Sequence, residues 1–360
     1  MRKWWLVLTV LLAFSMILVA CNDEEAAEEE EPEVEEEVEE EDAVEEETEP
    51  DEEEEQTNEV PSEMYPLTGE GTNEVVDHRV LAVQINNHKS ARPQTGLTRA
   101  DVVYEFLAEG NITRLVALFH SDIPEVVGPV RSARSYYIET AKAHGAIYVY
   151  HGAADFIEDQ IRAGWVDNLN GAYYDDDQFL FKRESFRQAP HNSYAYLENA
   201  YEVANRNDIQ TEQEEFYNYN FLNEGDTVEG DSATEIELTY GTYNQVSYSY
   251  DEEENSYLRS SDGEVSRDLN TEEPLMVENV LIYETGHRVI DDEGRREIDI
   301  ESEGNGYLIQ NGVVQEIQWR ATDGVMKPYI DGEEAPLVKG QTWINVIPTS
   351  PGLSEMVTYE

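Results

Sequence analysis

The sequence predicts an α/β (α+β) N-terminal domain with a mixed sheet, followed by a smaller all-β C-terminal domain resembling a sandwich or a barrel. Two observations support this prediction. Strand-like and helix-like patterns alternate up to about residue 210, which is typical of α/β layers. The rest of the chain consists of short β-rich runs separated by turn dipeptides, which is typical of antiparallel β-structure. The expected divisions are a signal peptide (1–20), a tether (21–60), an N-terminal domain (61–210) and a C-terminal domain (211–360).

The N-terminus predicts a lipoprotein signal peptide. Arg2 and Lys3 precede an apolar run over 4–20, which ends at the small-residue sequence Leu-Val-Ala before Cys21. A membrane-spanning anchor is the alternative, but the run has 17 residues, and a span needs about 20. Because Cys21 is the only cysteine, no disulfide framework is possible. We therefore expect a lipid anchor on Cys21 that holds the protein at the extracellular face of the membrane.

Acidic residues dominate the chain. It carries 80 Asp and Glu against 23 Lys and Arg, and 24 of the acidic residues lie within 23–55, where basic and aromatic residues are absent. That segment cannot bury enough apolar surface to fold, so it is interpreted as an extended spacer. The formal net charge of −57 excludes nucleic acid as a partner. Any anion-binding site must therefore be a local group of basic residues that departs from the overall negative charge.

The first elements of the N-terminal domain are a strand and a hairpin. The run 79–86 is typical of a buried strand, and 100–120 alternates as a hairpin expected to turn at Gly110-Asn111. That register would place Arg114 diagonal to both Glu105 and Glu109 on one face of the sheet. Such an ion pair could be structural or functional.

Helices and a further strand follow. Gly128-Pro129 interrupts the chain, and a helix is predicted from a cap at Ser132 to Gly145. The run 146–152 is typical of a strand. Further helices are predicted over 155–164 and over 192–205, the second capped by Asn192 or Ser193.

The C-terminal domain is predicted to consist of antiparallel hairpins. Its turns are indicated by four dipeptides, Asp262-Gly263, Glu293-Gly294, Asn311-Gly312 and Asp331-Gly332. Trp319 and Trp343 are expected in its core.

Two arginines at the start of the first predicted helix need negative charge nearby. Arg131 and Arg134 lie where the helix dipole disfavours cations. Either a carboxylate from the sheet, Asp101 or Glu105, compensates them, or an anionic ligand does so. The remaining alternative is that both side chains are simply exposed. Together with Arg92 and Arg114, they are the local group of positive charges that an anion-binding site in such an acidic chain would require.

Three histidines complete the candidate chemistry. His88 and His151 follow predicted strands, and His191 precedes a predicted helix. With Asp101, Glu105, Glu109 or Asp155 they could form an acid–base pair or a metal site. No local metal-ligand spacing, nucleophile elbow or phosphate-binding glycine motif is present, so we predict neither a metal nor a cofactor. His120, His144 and His287 are interpreted as incidental.

These residues predict one cleft, formed by the loop 85–96, the helix start at 128–134 and the loop around His191. The opening loop is richer in hydrogen-bonding groups than a simple turn requires. The expected ligand-binding residues are Asn87, His88, Arg92, Asp101, Glu105, Arg114, Arg131, Arg134, His151, His191 and Asn192.

Seven segments resemble the YerB-like lipoproteins of Gram-positive bacteria, a family with a conserved domain of unknown function. They are PLTG (66–69), INNHKSARPQTGL (85–97), ADVVYEFLAEGNITR (100–114), GPVRSARSYYIETA (128–141), YHG (150–152), APHNSY (189–194) and GQTWINVIP (340–348). The resemblance covers residues 65 to about 348. It implies a lipid-anchored protein with two parts, and it supplies no activity, ligand or catalytic residue.

The leading functional hypothesis is a non-enzymatic envelope lipoprotein that binds an anionic or carbohydrate-like ligand, or an envelope partner. One alternative is a cell-envelope hydrolase in which His88 or His191 acts with Glu105 or Asp101, with or without a divalent metal. Another is a scaffold or regulator that docks a cell-wall enzyme through an exposed apolar patch of the β domain.

Overall fold

A computed structural model describes residues 61–241 and 244–360. The predicted signal peptide, Cys21 and the acidic tether lie outside these residues. The N-terminal strands are β1 (Glu63–Met64), β2 (Gly71–Thr72), β3 (Leu81–Asn86), β4 (Val102–Leu107), β5 (Thr113–Phe119), β6 (Val126–Val127), β7 (Ile147–Tyr150), β8 (Asn168–Asn170), β9 (Phe181–Arg183) and β10 (Ser193–Tyr196).

The C-terminal strands are β11 (Asp231–Ser232), β12 (Glu235–Gly241), β13 (Asn244–Asp251), β14 (Ser256–Ser261), β15 (Glu264–Val265), β16 (Met276–Val277), β17 (Asn279–Thr285), β18 (His287–Val289), β19 (Arg296–Ile298), β20 (Glu303–Gln310), β21 (Val313–Thr322), β22 (Val325–Ile330), β23 (Glu333–Glu334), β24 (Thr342–Pro348) and β25 (Val357–Tyr359). The α-helices are α1 (Ser135–Ala143), α2 (Asp155–Arg162), α3 (Ala200–Arg206) and α4 (Leu353–Met356). Short 3₁₀ helices span Lys89–Ala91, Leu97–Arg99 and Leu197–Asn199.

One continuous mixed sheet joins the two parts of the chain. Its strand order in the described residues is β23-β22-β21-β20-β17-β24-β4-β5-β3-β7-β8, and β11 pairs with β21. Strand β24 lies parallel to both β17 and β4, with Trp343 opposite Val280 on one side and Val103 on the other. The C-terminal sequence therefore supplies the strand, β24, that pairs with β4 and joins the N-terminal strands to the C-terminal ones.

The two faces of this sheet bury separate apolar cores. On one face, Val103 and Leu115 share a core with Ile236 and Tyr248 of the six-stranded sheet β15-β14-β13-β12-β25, in which β16 pairs with β14. On the other face, residues of α1 and α2 cover Tyr104 and Val116. The second sheet thus lies against one face, and the two helices cover the other.

The predicted fold class is confirmed, since a mixed sheet with a few helices is followed by all-β structure with several sheets. Three of the predicted dipeptide turns connect β14 to β15, β20 to β21 and β22 to β23, and both residues of each turn have positive φ. Positive φ at both positions characterises the tight hairpin turns that Asn-Gly and Asp-Gly favour. Trp319 and Trp343 are buried in the core, as expected.

The predicted register of the β4–β5 hairpin is wrong by one residue. The loop contains Glu109, Gly110 and Asn111, so Arg114 lies opposite Phe106 instead of Leu107. Because successive side chains in a strand point to opposite faces, this shift places Arg114 on the helix-covered face. Glu105 points to the other face, so the two residues do not pair.

Two helix predictions also need correction. The chain over 193–196 forms β10, which pairs with β6 and β9, and the α-helix begins only at Ala200. Cross-strand pairing therefore outweighs the capping signal that Asn192 and Ser193 provide. Helix α1 begins at Ser135, with Arg134 at the N-cap position, and Ser132 Oγ donates instead to His151 O.

None of the helices within 61–241 and 244–360 is both long enough and apolar enough to cross a membrane.

Candidate functional site

Two arginines pair with one carboxylate near the start of α1, and a third arginine, Arg131, lies nearby. Glu109 accepts hydrogen bonds from Arg114 at 2.8 Å and from Arg134. Burial opposes ionisation of Glu109, but the charges of Arg114 and Arg134 outweigh it and lower the pKa of this carboxyl. We call Arg114, Arg131 and Arg134 the arginine cluster. Its three positive charges meet one negative charge.

Arg131 is the member of the cluster that has no carboxylate partner among the described residues. Its side chain is partly buried, and its polar contact in the described residues is a 3.5 Å approach to the carbonyl oxygen of Pro190. Burial and the neighbouring charge of Arg114 lower the pKa of Arg131 to about 10, against a smaller opposing effect of Glu109. A guanidinium held in this way favours a negatively charged partner.

His88 and His191 stack with ring centroids 4.8 Å apart and planes 20° from parallel. His191 Nδ1 lies 2.8 Å from Asn86 Nδ2, and His88 Nδ1 accepts from Ser90 N at 3.1 Å. Burial lowers the pKa of His191, with further lowering from His88 and Arg131. His191 therefore favours the neutral imidazole, and the stacked pair lies close to Arg131 of the arginine cluster.

His151 belongs to a neighbouring polar group. Its Nδ1 lies 2.7 Å from Ser193 Oγ, and its Nε2 lies 3.2 Å from Arg183 Nη2. Burial and Arg183 lower the pKa of His151. Asn192 Oδ1 accepts from Arg183 at 3.0 Å, and Asp175 pairs with the same arginine at 2.6 Å. His151 and Asn192 are thus linked through Arg183.

The opposite face of the sheet holds a separate buried network around Glu105. Its Oε1 accepts from Asn87 at 3.0 Å and from Thr113 at 2.7 Å, and its Oε2 accepts from Arg259 at 2.7 Å and from Trp343 Nε1 at 3.0 Å. The Arg259 guanidinium also lies over the Trp343 ring, 4.2 Å from its centroid. Glu105 therefore orients the opening loop rather than the arginine cluster.

Arg92 extends that network to the C-terminal part. Its Nε donates to Asn87 Oδ1 at 3.1 Å and its Nη1 donates to Asp262 Oδ2 at 2.8 Å. Gln94 Nε2 donates to Asn87 Oδ1 at 2.9 Å. The loop is thus held by side chains of both parts of the chain.

Asp101 lies apart from the predicted cleft. Its carboxylate accepts from Ser121 N at 3.0 Å and from Ser121 Oγ. Burial raises the pKa of Asp101 to about 7, against the lowering effect of the bonds from Ser121. Asp101 does not compensate Arg131 or Arg134, so the expected pairing is wrong for this residue as it is for Glu105.

Arg259 and Arg183 were not predicted from the sequence as members of these polar networks. A signal for Arg259 was present, because alternation in SYLRSS places it on the same face as Tyr257 and Ser261, and all three are buried. A buried arginine requires a carboxylate partner. No comparable local pattern identified Arg183.

The described residues contain no group of three or more His, Cys, Asp and Glu side chains arranged to hold a metal ion. The His88–His191 pair satisfies one condition of the hydrolase alternative, which is the proximity of two histidines. Within the same residues neither ring hydrogen-bonds to a carboxylate, as a general acid–base pair would require.

Two family models match the chain. Residues 67–210 match "Protein of unknown function (DUF3048) N-terminal domain", and residues 236–344 match the C-terminal domain of the same family.

A relative and a solved structure extend the match to most of the chain. The chain is 41% identical over 287 residues to YerB of Bacillus subtilis (strain 168), whose name describes it as a lipoprotein, covering 79% of this chain and 86% of YerB. The crystal structure of YerB from Bacillus subtilis matches with a TM-score of 0.75 and 39% identity, over 82% of this chain and 99% of the crystallised one. The chain therefore belongs to the YerB-like family of lipoproteins.

Proposed function

We propose that this protein is an envelope lipoprotein that binds an anionic ligand at the arginine cluster. The observation that carries the proposal is Arg131, a partly buried guanidinium without a carboxylate partner in the described residues. Its neighbours Arg114 and Arg134 already share Glu109. The cluster therefore keeps an excess of two positive charges in a chain whose formal net charge is −57.

The surroundings of Arg131 suit a carboxylate, a phosphate or an acidic sugar. Guanidinium groups bind planar anions through two parallel hydrogen bonds. The neighbouring His88 and His191 rings offer a flat stacked surface and nitrogen atoms for orientation. An anion bound here would give Arg131 the negative partner that it lacks among the described residues.

The lipid anchor belongs to the same proposal. Cys21 follows a signal-like run, and the relative YerB is named as a lipoprotein. Lipidation of Cys21 would hold the folded part outside the cell membrane, at the end of the acidic spacer. Replacement of Cys21 by Ala is expected to release the protein from the membrane fraction. A Cys21→Ala protein that stays in the membrane fraction would contradict this part of the proposal.

Thermal unfolding of the full chain, purified in detergent, tests anion binding. Phosphate and citrate are compared with chloride at constant ionic strength, and divalent metals form a separate arm. The expected result is a higher melting temperature with phosphate or citrate, because a ligand that binds only the folded state stabilises it, by about 2.7 kcal/mol at 100 times its Kd.

Arg131→Gln is the test variant, and Arg288→Gln is the matched control. Both changes remove one positive charge, but Arg288 is exposed and pairs with Glu297 at the surface. The anion effect should disappear in Arg131→Gln and persist in Arg288→Gln. An equal effect in both variants would show general charge screening and reject the site. Stabilisation by a metal alone would favour the hydrolase alternative instead.

A further inference from the structure

The hydrogen bonds of the stacked histidines fix where each ring carries its proton. His88 Nδ1 accepts from the backbone N–H of Ser90 at 3.1 Å, so this nitrogen is unprotonated. An imidazole whose Nδ1 is unprotonated carries its proton on Nε2. His88 therefore presents a neutral ring with an N–H donor at Nε2.

The same conclusion holds for His191, through the side chain of Asn86. The backbone N–H of His88 donates to Asn86 Oδ1 at 3.0 Å, which sets the orientation of the amide. Asn86 Nδ2 therefore faces His191 Nδ1 as a donor, at 2.8 Å. Since His191 Nδ1 accepts this bond, the proton of His191 also lies on Nε2. Two backbone N–H groups thus determine the tautomers of both rings.

Both Nε2 atoms are open to a ligand. Neither has a hydrogen-bond partner among residues 61–241 and 244–360, and neither is buried. The two rings stack with their centroids 4.8 Å apart, which keeps both donors in one small area. Donors that are held in place before a ligand arrives lose little conformational freedom on binding. The stacked histidines are therefore a preorganised pair of donors.

Two guanidinium groups that have no carboxylate partner in the described part of the chain lie near these donors. Arg131 approaches the carbonyl oxygen of Pro190, the residue before His191, at 3.5 Å. Arg187 donates to the uncharged hydroxyl of Tyr194 at 2.6 Å. The pKa of His191 is lowered by burial and then by nearby charges, among them those of Arg131 and Arg187. Two positive charges therefore act at the position of His191.

We propose that Arg131, Arg187 and the stacked histidines bind a phosphate monoester. This inference rests on the anion-binding function proposed above and specifies its ligand. A phosphate monoester carries close to two negative charges and three strong acceptor oxygens, which suits two guanidinium groups and two N–H donors. A single carboxylate carries one charge and two acceptor oxygens in one plane, so it would leave part of this group without a partner.

Titration calorimetry with the full chain in detergent compares glycerol 3-phosphate with malonate. At about pH 8 both probes carry two negative charges, since the second pKa of a phosphate ester is about 6. Micelles that contain phosphatidic acid, compared with micelles that contain phosphatidylcholine, form a lipid arm. A phosphate probe should bind about tenfold more tightly than malonate, which corresponds to one hydrogen bond to a charged group. The arm that binds shows whether the ester is soluble or a lipid headgroup.

The outcomes separate this inference from the proposed function. Malonate that binds as tightly as the better phosphate probe would overturn the inference and leave anion binding at the arginine cluster standing. If none of the anions binds, including the phosphate and citrate used above, the proposed function fails and the inference fails with it.

Nitrogen NMR signals of the imidazole rings provide a second measurement on the wild type. Protonated Nε2 and unprotonated Nδ1 are expected in both His88 and His191, and the phosphate probe should shift both Nε2 signals. A protonated Nδ1 in either ring, or Nε2 signals that do not respond to a bound probe, would reject the assignment of these donors.

His191→Phe is the test variant, and His287→Phe, in β18, is its control. Phenylalanine keeps a flat ring beside His88 but has no N–H donor. His191→Phe should weaken binding of the phosphate probe about tenfold and remove its preference over malonate, whereas His287→Phe should leave both unchanged. If His191→Phe does not fold, His88→Phe takes its place. An unchanged preference for phosphate in the variant that folds rejects the site.

Discussion

Glu105 of β4 and Arg259 of β14 form an ion pair of 2.7 Å, with side chains that are 0% and 3% exposed. Each belongs to a different matched family domain, 67–210 and 236–344. Trp343 of β24 donates to the same carboxylate. The two domains therefore share both a sheet and a buried charge, which predicts that they unfold together.

Breaking this pair should destabilise the whole protein. Glu105→Gln or Arg259→Met alone should cost about 3–5 kcal/mol, because each leaves a buried charge without its partner. The double variant should cost clearly less than the sum of the two. Guanidinium chloride unfolding measures all three free energies.

The exposed pair Arg288–Glu297 provides the control for that cycle. Arg288→Met and Glu297→Gln should change the free energy of unfolding by less than about 1 kcal/mol each. Additive effects at Glu105 and Arg259 would show that they do not interact energetically.

Asp101 predicts a distinctive pH dependence of stability. Burial raises its pKa from 3.8 to about 7, so between these pH values the folded state holds a proton that the unfolded state has lost. The contribution of Asp101 to stability is therefore full below pH 3.8 and is lost as the pH rises to about 7. Its slope cannot exceed about 1.4 kcal/mol per pH unit.

The measurement is the difference in unfolding free energy between wild type and Asp101→Asn from pH 4 to 8. A difference is needed because burial and His78 lower the pKa of His120 to about 4, and that histidine adds stability as the pH rises through the same range. Relative to Asp101→Asn, the wild type should lose stability as the pH increases. A constant difference would refute the raised pKa.

Removing the charge of Arg131 should stabilise the protein in the absence of anions. Burial and repulsion by Arg114 lower its pKa to about 10, which means that Arg131 stays charged at neutral pH but its charge is less favourable in the folded than in the unfolded state. Arg131→Gln should raise the free energy of unfolding by roughly 0.5 kcal/mol, as for exposed charge interactions. Chemical denaturation in chloride, with Arg288→Gln as reference, checks the sign. A destabilised Arg131→Gln would indicate a structural role.

His191 should report on the arginine cluster. Its pKa is lowered by burial and by the charges of His88 and Arg131. In Arg131→Gln the pKa of His191 should therefore rise, because one of the positive charges that lower it is removed. NMR titration of the imidazole signals measures this value, and Arg288→Gln should leave it unchanged. An identical His191 pKa in Arg131→Gln would place Arg131 too far away to act on it.

Most of the interacting side chains were predicted from the sequence, but which of them pair with each other was not. Arg131 and Arg134 were expected to need negative charge, either from a sheet carboxylate such as Asp101 or Glu105 or from an anionic ligand. Glu109 pairs with Arg134, whereas Arg131 has no carboxylate partner among the described residues. Neither Asp101 nor Glu105 supplies the carboxylate. A shift of one residue in the hairpin register reverses every side chain between the two faces, and no local signal distinguished a loop of two residues from one of three.

By itself, the sequence determined the fold class, the C-terminal hairpin turns and the buried tryptophans, because hydrophobic period and turn chemistry act over a few neighbouring residues. Only the tertiary structure decided that β24 lies between β17 and β4, and that Arg259 neutralises Glu105. These contacts join residues 154 positions apart in the case of the ion pair. Which residues meet in these contacts depends on how the apolar faces of distant segments pack together. This packing places the arginine cluster on the helix-covered face of the mixed sheet and the Glu105 network on the other face, so the predicted cleft is divided between two sites.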